Sequence, residues 1–240
     1  MTDLSQAFGQ ALALAISGDQ AFYGIVALSL RVSSSSAMLA CLFGIPLGAW
    51  LAISRFKGRS LLISIVNAAL GVPSVVVGLL VYLLLSRSGP MGFMGLLFTP
   101  AAMIVAQTIL IAPMVAALSR QTLQDTWVEY RHLFASWRIG RGTAIATLIW
   151  DCRFSLVTIA LTAFGRAIAE VGAVMTVGGN IAGSTRVMTT GIALETSKGD
   201  LPLALGLGII LLAVVFLIMV VAQVLQQSAL RRFGGSRQAD

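Results

Sequence analysis

The chain has 240 residues, of which 58% are hydrophobic and only 10% are charged, whereas about 25% of the residues of an ordinary soluble domain carry a charge. So few charges cannot solvate a globular surface, which indicates that the chain lies in a lipid bilayer. The net charge of +7 comes from cations at the ends of apolar runs, as in membrane proteins, so no nucleic-acid partner is expected.

Several kinds of site lack the residues that would form them. The two cysteines, Cys41 and Cys152, and the single histidine, His132, support neither a disulfide framework nor a metal cluster. Both lysines, Lys57 and Lys198, are followed by glycine, so the GxxxxGK[S/T] phosphate-binding loop is missing. We therefore expect no catalytic residue, metal or cofactor on this chain. Any ATP-driven work would need another subunit.

Apolar runs long enough to cross a membrane follow one another along the chain. A weakly amphipathic segment at residues 4–17 comes first and predicts an interfacial helix. Each later run reaches the ~20 residues that a helix needs to cross ~30 Å of hydrocarbon. The predicted spans are residues 25–54, 61–85, 96–118, 154–177 and 201–225. The sequence thus predicts one all-α transmembrane domain over residues 1–240, with five helices and a polar loop at 119–153.

Basic residues are distributed unequally between the predicted loops. Of the 16 Lys and Arg, Arg31 and Arg166 fall within spans, and Arg87, Arg186 and Lys198 share one side of the membrane. The other 11 (16 − 2 − 3) fall on the opposite side. Because cytoplasmic loops are enriched in Lys and Arg, we expect the amino terminus outside and the polar loop and carboxyl terminus in the cytoplasm.

The polar loop at residues 119–153 has the pattern of a docking helix. Its apolar residues recur at three- and four-residue steps, which predicts one amphipathic helix. These residues are Leu123, Trp127, Tyr130, Phe134 and Trp137. Since tryptophan and tyrosine are typical interface anchors, we expect the stripe to dock into a groove of a partner. The alternative is that the aromatic rings pack beneath the membrane-facing side of the loop.

This loop resembles the cytoplasmic loop of the membrane subunits of binding-protein-dependent ABC importers. Their pattern is EAA, three residues, Gly, nine residues and I-x-L-P. Glu129 and Ile145 match it, whereas Ala135 replaces the glycine. The remaining fixed positions are occupied by Tyr130, Arg131, Thr147 and Leu148. The resemblance places ATPase coupling on Glu129, Tyr130, Arg131, Phe134, Ala135 and Ile145.

Two further segments resemble oxyanion-importer permeases. PSVVVG, at residues 73–78, is similar to their proline-led segment, and residues 165–200 resemble tungstate-importer permeases, which are relatives of the molybdate and sulfate ones. The resemblance implies a type I (MetI-like) permease that forms a homodimer in the cell (inner) membrane. It also implies a cytoplasmic ATPase dimer that binds ATP and Mg, an extracytoplasmic anion-binding protein, and tungstate as the substrate. Molybdate and sulfate remain as alternatives.

Two groups of residues are candidates for the anion path. Arg166 and Glu170 lie four apart in the fourth predicted span, so they share a helical face and can pair. The pair either fixes helix packing or lines a path in which Arg166 attracts the oxyanion and Glu170 weakens its binding. The second group, Gly178, Gly179, Asn180 and Thr185, either donates hydrogen bonds to a dehydrated oxyanion or forms a connecting turn. Residues 188–197 predict a short helix that ends at Lys198-Gly199.

A different class of transporter remains as an alternative. An ion-coupled carrier would need several acids or histidines within the membrane, and Glu170 is the one acid deep in an apolar run. A passive anion channel would not need the basic cytoplasmic helix. Both features favour the ATP-driven permease.

Overall fold

The computed structural model describes the backbone of residues 19–234 and the side chains of residues 19–225. The interfacial helix predicted for residues 4–17 lies outside the described residues. Within them the chain forms α-helices and no strand, which confirms the all-α prediction. The helices are α1 (Gln20–Ile53), α2 (Arg59–Ala69), α3 (Ser74–Leu85), α4 (Pro100–Ser136), α5 (Arg141–Asp151), α6 (Arg153–Ile168), α7 (Gly172–Gly178), α8 (Met188–Lys198) and α9 (Leu201–Gly234).

Three helices are long and apolar enough to cross a membrane: α1, α4 and the Leu201–Leu225 part of α9. They correspond to the first, third and fifth predicted spans. Pro46 and Pro113 lie inside α1 and α4 without ending them, as neighbouring helices allow in a membrane protein. Two bent helix pairs, α2 with α3 and α5 with α6, raise the number of candidate spans to five if each pair is counted as one.

The second and fourth predicted spans are each interrupted in the structure, whereas the sequence predicts one helix for each. The second span holds α2 and α3, separated by residues 70–73. Pro73 lacks an N–H and has an extended backbone, with φ −60° and ψ 132°, so α2 cannot continue through it. The fourth span holds α6 and α7, separated by residues 169–171. That break contains no proline.

Residues 19–36, 72–109 and 164–217 form one compact unit. Within it α3 packs on α7, and two glycines permit the contact. A Cβ at Gly78 would lie 2.8 Å from the Cα of Ala173, and one at Gly172 would lie 2.7 Å from Oγ of Ser74. Both distances are shorter than van der Waals contact. At Gly78 the neighbouring atom is backbone, so only glycine fits there without a shift of the helices, whereas at Gly172 the side chains of Ser74 and Val75 would have to move. The unit's hydrophobic core includes Phe22, Ile168, Met188 and Leu207.

Residues 37–71, 110–163 and 218–234 belong to a second unit. The second half of α1 approaches α4 closely there, because glycines face the neighbouring backbone. A Cβ at Gly44 would lie 2.8 Å from the Cβ of Val115, and one at Gly48 would lie 2.6 Å from the carbonyl oxygen of Ala116. This close contact holds the part of α4 from which the polar loop extends.

Candidate functional site

The break between α6 and α7 contains a buried carboxylate. Glu170 is 3% exposed and lies just beyond the end of α6, not on the helical face that the sequence predicts. Its Oε2 lies 3.3 Å from Nη1 of Arg166, so the predicted pairing is confirmed. Its Oε1 accepts a hydrogen bond of 3.3 Å from the backbone N–H of Ala173, one of the amides that the start of α7 leaves without a helical partner. Glu170 therefore pairs with Arg166 and caps α7.

The same break frees backbone carbonyls, and buried side chains satisfy them. Nε2 of Gln107 donates to the carbonyl oxygen of Ala167 at 2.9 Å, and Oγ1 of Thr189 donates to that of Glu170 at 2.9 Å. Oγ of Ser36 lies 2.8 Å from Oε1 of Gln107. These contacts explain why an interrupted helix is tolerated here, since an unpaired buried polar group would cost about 1–3 kcal/mol. We name Ser36, Gln107, Arg166, Glu170 and Thr189 the Glu170 network.

Three members of this network were not predicted from the sequence: Ser36, Gln107 and Thr189. A signal for one of them was present, because Gln107 is the one amide side chain in the third predicted span. Polar residues inside membrane segments usually face a protein interior and form hydrogen bonds there. The position of Gln107 therefore indicated an internal contact, but the sequence could not name its partner.

The glycine-rich segment that follows α7 is a turn held by its own hydrogen bonds. The Thr185 hydroxyl donates to the carbonyl oxygen of Gly178 at 2.6 Å and accepts from the N–H of Ile181 at 3.0 Å. Asn180 donates from Nδ2 to the carbonyl oxygen of Thr190 at 3.1 Å. Gly179 and Asn180 have φ values of 70° and 51°, which suit a turn. The donors predicted to bind an anion are thus engaged within the chain in this conformation.

The short helix predicted after this turn is confirmed as α8, with Gly199 at φ 83° as its C-cap. A buried carboxylate on α8, that of Glu195, contacts two cations. Its Oε1 lies 3.5 Å from Nη1 of Arg186 and 3.1 Å from Nζ of Lys198. The sequence analysis did not single out Glu195, because its partner Arg186 lies nine residues earlier (195 − 186), before α8 begins.

The polar loop is helical, as predicted, but its aromatic stripe is divided. Phe134 is 6% exposed and packs against Tyr130 and Trp127, with ring centroids 5.7 Å and 5.9 Å apart. Trp137, by contrast, is 69% exposed. Phe134 therefore follows the packing alternative, whereas Trp137 remains accessible to a partner.

The predicted coupling residues lie on both helices of the loop. Glu129 to Ala135 belong to α4, and Ile145 belongs to α5. A cavity of about 230 Å³ in this region is lined by Arg55, Arg131 and Arg141 together with Ile53 and Trp127. Among the described side chains, none pairs with these three guanidinium groups. The loop, together with Arg55 from the segment between α1 and α2, thus forms a basic cavity whose three guanidinium groups have no salt-bridge partner among the described side chains.

Cys152 joins α5 to α6 and anchors the loop to α4. It is buried, and its Sγ lies 3.2 Å from Oγ1 of Thr126. Burial raises the pKa of the Cys152 thiol above its usual value, and the nearby carboxylates of Asp151 and Glu129 raise it further. The hydrogen bond with Thr126 lowers the pKa but does not cancel this rise. Because the thiolate is the reactive form, the raised pKa lowers the reactivity of the Cys152 thiol.

The chain matches no protein-family model, but its relatives are informative. Tungstate uptake system permease protein TupB of Peptoclostridium acidaminophilum is 41% identical over 227 residues, which are 95% of this chain and 100% of the relative. A probable anion ABC transporter permease protein of Haloferax volcanii is 44% identical over 80% of this chain and 84% of the relative. TupB of Campylobacter jejuni is 37% identical over 87% of each.

More distant relatives belong to neighbouring transport systems. They include the molybdenum transport permease ModB of Escherichia coli, at 30% identity, and the sulfate transport permease CysW of Synechocystis, at 26%. Three helices of this chain are long enough to cross a membrane, and it is 41% identical to TupB of Peptoclostridium acidaminophilum over 95% of its length. The chain therefore belongs to the tungstate-uptake permeases, the membrane-spanning subunits of ABC transporters.

Proposed function

We propose that this chain is the permease subunit of an ATP-driven tungstate importer in the cell (inner) membrane. The observation that carries the proposal is the identity to TupB over 95% of this chain and 100% of the relative. Molybdate and sulfate are the alternative substrates, because ModB and CysW are more distant relatives. The three oxyanions share one tetrahedral shape and charge, so one architecture can serve all of them.

In this proposal two copies of the chain form the path, and a cytoplasmic ATPase dimer drives it. The ATPases bind ATP and Mg and dock on the loop at residues 119–153. Two features of the loop support docking: the exposed indole of Trp137 and the cavity lined by Arg55, Arg131 and Arg141. Glu129, Tyr130, Arg131, Ala135 and Ile145 surround the contact, and Phe134 supports it from within the loop.

Closure of the ATPases around ATP would move the paired loops and open the path outward, and hydrolysis would reset it. An extracytoplasmic binding protein would deliver the anion to the open path. Arg166, whose side chain is 50% exposed, is positioned to contact a passing anion. Glu170, which caps α7 and pairs with Arg166, limits how strongly the anion binds. Gly178, Gly179, Asn180 and Thr185 shape the turn beside it.

No specific observation favours an ion-coupled carrier. Such a carrier needs a carboxylate that binds and releases an ion. The two buried acids of the described residues, Glu170 and Glu195, are both paired with cations. Neither carboxylate is therefore free to carry a proton or sodium ion in this conformation.

The proposal is tested by uptake into proteoliposomes that contain the permease and its ATPase, with binding protein outside and ATP inside. Tungstate, molybdate and sulfate are offered separately, each with the binding protein saturated, and the accumulated metal or sulfur is measured. We expect tungstate to accumulate fastest. Equal uptake of sulfate and tungstate would contradict the substrate assignment. No uptake of any oxyanion would contradict the function itself.

A further inference from the structure

A second cavity lies in the first unit, apart from the Glu170 network. Its volume is about 450 Å³, and it is lined by the first turns of α1 and by residues 182–186. α1 contributes Gln20 and Arg31 as its polar residues, and the loop contributes Ser184 and Arg186. No acidic side chain occurs among the described residues that line it. The cavity is therefore positively charged and contains hydrogen-bond donors from four side chains.

Arg31 lies within the first predicted span, six residues beyond its start at residue 25 (31 − 25), which is roughly 9 Å along a helix at 1.5 Å per residue. A charge at that depth is costly in lipid and usually faces a protein interior or a water-filled path. Within the part of the chain that the structure describes, no side chain pairs with the Arg31 guanidinium. Its charge is exposed to the cavity without a counter-charge from the described residues.

Arg186 also lines the cavity, and its guanidinium group pairs with the carboxylate of Glu195. The Glu195 carboxylate is shared between Arg186 and Lys198, so this cluster of three retains one net positive charge. Nε of Arg186 is buried and has no hydrogen-bond partner among the described residues. Because an unsatisfied buried donor is unfavourable, an anion that accepts a hydrogen bond from Nε would relieve the cost.

Two glycines, Gly24 and Gly183, line the same cavity as the two arginines. A Cβ at Gly24 or at Gly183 would meet no atom within 4 Å, and the Ser184 hydroxyl has no partner among the described side chains. Two guanidinium groups and a hydroxyl around an open space are the donors that a small oxyanion requires, because guanidinium binds such oxygens through charge-assisted hydrogen bonds.

We infer that this cavity is a binding subsite for a tetrahedral inorganic oxyanion, held between the guanidinium groups of Arg31 and Arg186. The inference rests on the proposed function, since the anion is the one that the transporter moves. A lipid phosphate group presents the same oxygens, so the membrane is the other source of this chemistry. The lipid composition of the vesicles in the experiment below distinguishes the two sources.

The test uses the complete transporter in proteoliposomes, with loaded binding protein at saturation. We expect Arg31→Gln and Arg186→Gln each to lower the initial rate of tungstate uptake about tenfold, the size expected for a lost charge-assisted contact. Gly24→Leu fills the cavity without touching the backbone and lowers uptake similarly. Two variants outside the cavity serve as matched controls. Arg87→Gln is the control for the arginine variants, and Gly208→Leu is the control for Gly24→Leu, because a Cβ at Gly208 also meets no atom within 4 Å. Both controls are expected to keep uptake within about twofold of the wild-type rate.

Assembly with the ATPase, measured by size exclusion, is expected to be unchanged in all five variants. Uptake at the wild-type rate in both arginine variants and in Gly24→Leu would overturn the subsite. The proposed function would not be affected by that result, provided that the wild-type transporter takes up tungstate in the same vesicles.

The lipid source is tested in vesicles of phosphatidylcholine with and without phosphatidylglycerol. A wild-type rate that depends on the anionic lipid, and loses that dependence in Arg31→Gln, would assign the cavity to a headgroup and contradict the free anion.

Discussion

The Glu170 network and the cytoplasmic loop differ in how their polar groups are satisfied. In the network, the carboxylate of Glu170 and the amide of Gln107 both find partners within the chain. At the loop, the guanidinium groups of Arg131 and Arg141 line a cavity with that of Arg55, which lies between α1 and α2, and the three groups pair with no described side chain. The difference indicates that the network completes the permease's own fold, and it is consistent with the proposal that the loop docks a partner.

The same contrast applies to apolar groups. α3 and α7 meet at glycines that leave no space for a side chain, whereas Trp137 of the loop is exposed. Substitutions in the tightly packed region are therefore expected to reduce the stability of the permease itself. Substitutions of exposed loop residues are expected to reduce binding of the ATPase and to leave the permease folded.

The largest effect is expected for Gly78→Leu. A Cβ at this position would lie 2.8 Å from the Cα of Ala173, which is backbone and cannot rotate away, so α3 and α7 could not pack. We expect little folded protein, measured as the monodisperse fraction after extraction in detergent. Gly208→Leu, in open space, is the control and extracts normally. Equal yields of the two variants would contradict the close packing of α3 on α7.

The second prediction separates two aromatic residues of the loop. Phe134→Ala removes a buried ring and is expected to destabilise the permease by about 3 kcal/mol, seen as a lower thermal unfolding midpoint. Trp137→Ala removes an exposed ring, so it leaves the midpoint unchanged and weakens ATPase binding. If Trp137→Ala lowers the midpoint as much as Phe134→Ala does, the division of the stripe is wrong.

Gln107→Leu tests the Glu170 network. Leucine has a similar volume but leaves the carbonyl oxygen of Ala167 without its side-chain donor, at a cost of about 2 kcal/mol. Gln121→Leu, at an exposed position on the same helix, is the matched control. We expect the unfolding midpoint to fall for Gln107→Leu alone, and unchanged stability would show that the hydrogen bond to Ala167 contributes nothing.

The smallest effect is expected for the basic cavity of the loop. Combined replacement of Arg55, Arg131 and Arg141 by Gln is expected to weaken ATPase binding about tenfold and to reduce its dependence on salt, because charge complementarity acts mainly on association. Lys57→Gln removes a nearby charge that does not line the cavity and serves as the control. Titration of labelled ATPase against the permease in nanodiscs, at low and high salt, measures the affinity and its salt dependence for each variant. Affinity that is equal in the two variants would argue against a basic docking surface.

Much of the fold could be predicted from the sequence because local patterns determine it. The three long helices, the helical loop and α8 follow from hydropathy, periodicity and the stop at Gly199. The pairing of Arg166 with Glu170 follows from their spacing. These features depend on residues that are close together in the chain.

The features that the sequence did not predict depend on contacts between distant residues. The break at residues 169–171 has no proline, and it is satisfied by Gln107 and Thr189, which lie on other helices. The burial of Phe134 was one of two alternatives, because an amphipathic stripe fits docking and packing equally well. The cavity between Arg31 and Arg186 joins residues more than 150 positions apart (186 − 31), so no local pattern could indicate it.

The central claim is that this chain supplies the path and its loop, while another subunit supplies the energy. It is tested most directly by tungstate uptake against a gradient in two sets of proteoliposomes, one with the permease alone and one with the permease and its ATPase. We predict accumulation only where ATPase and ATP are both present. Uphill uptake by the permease alone would contradict the account.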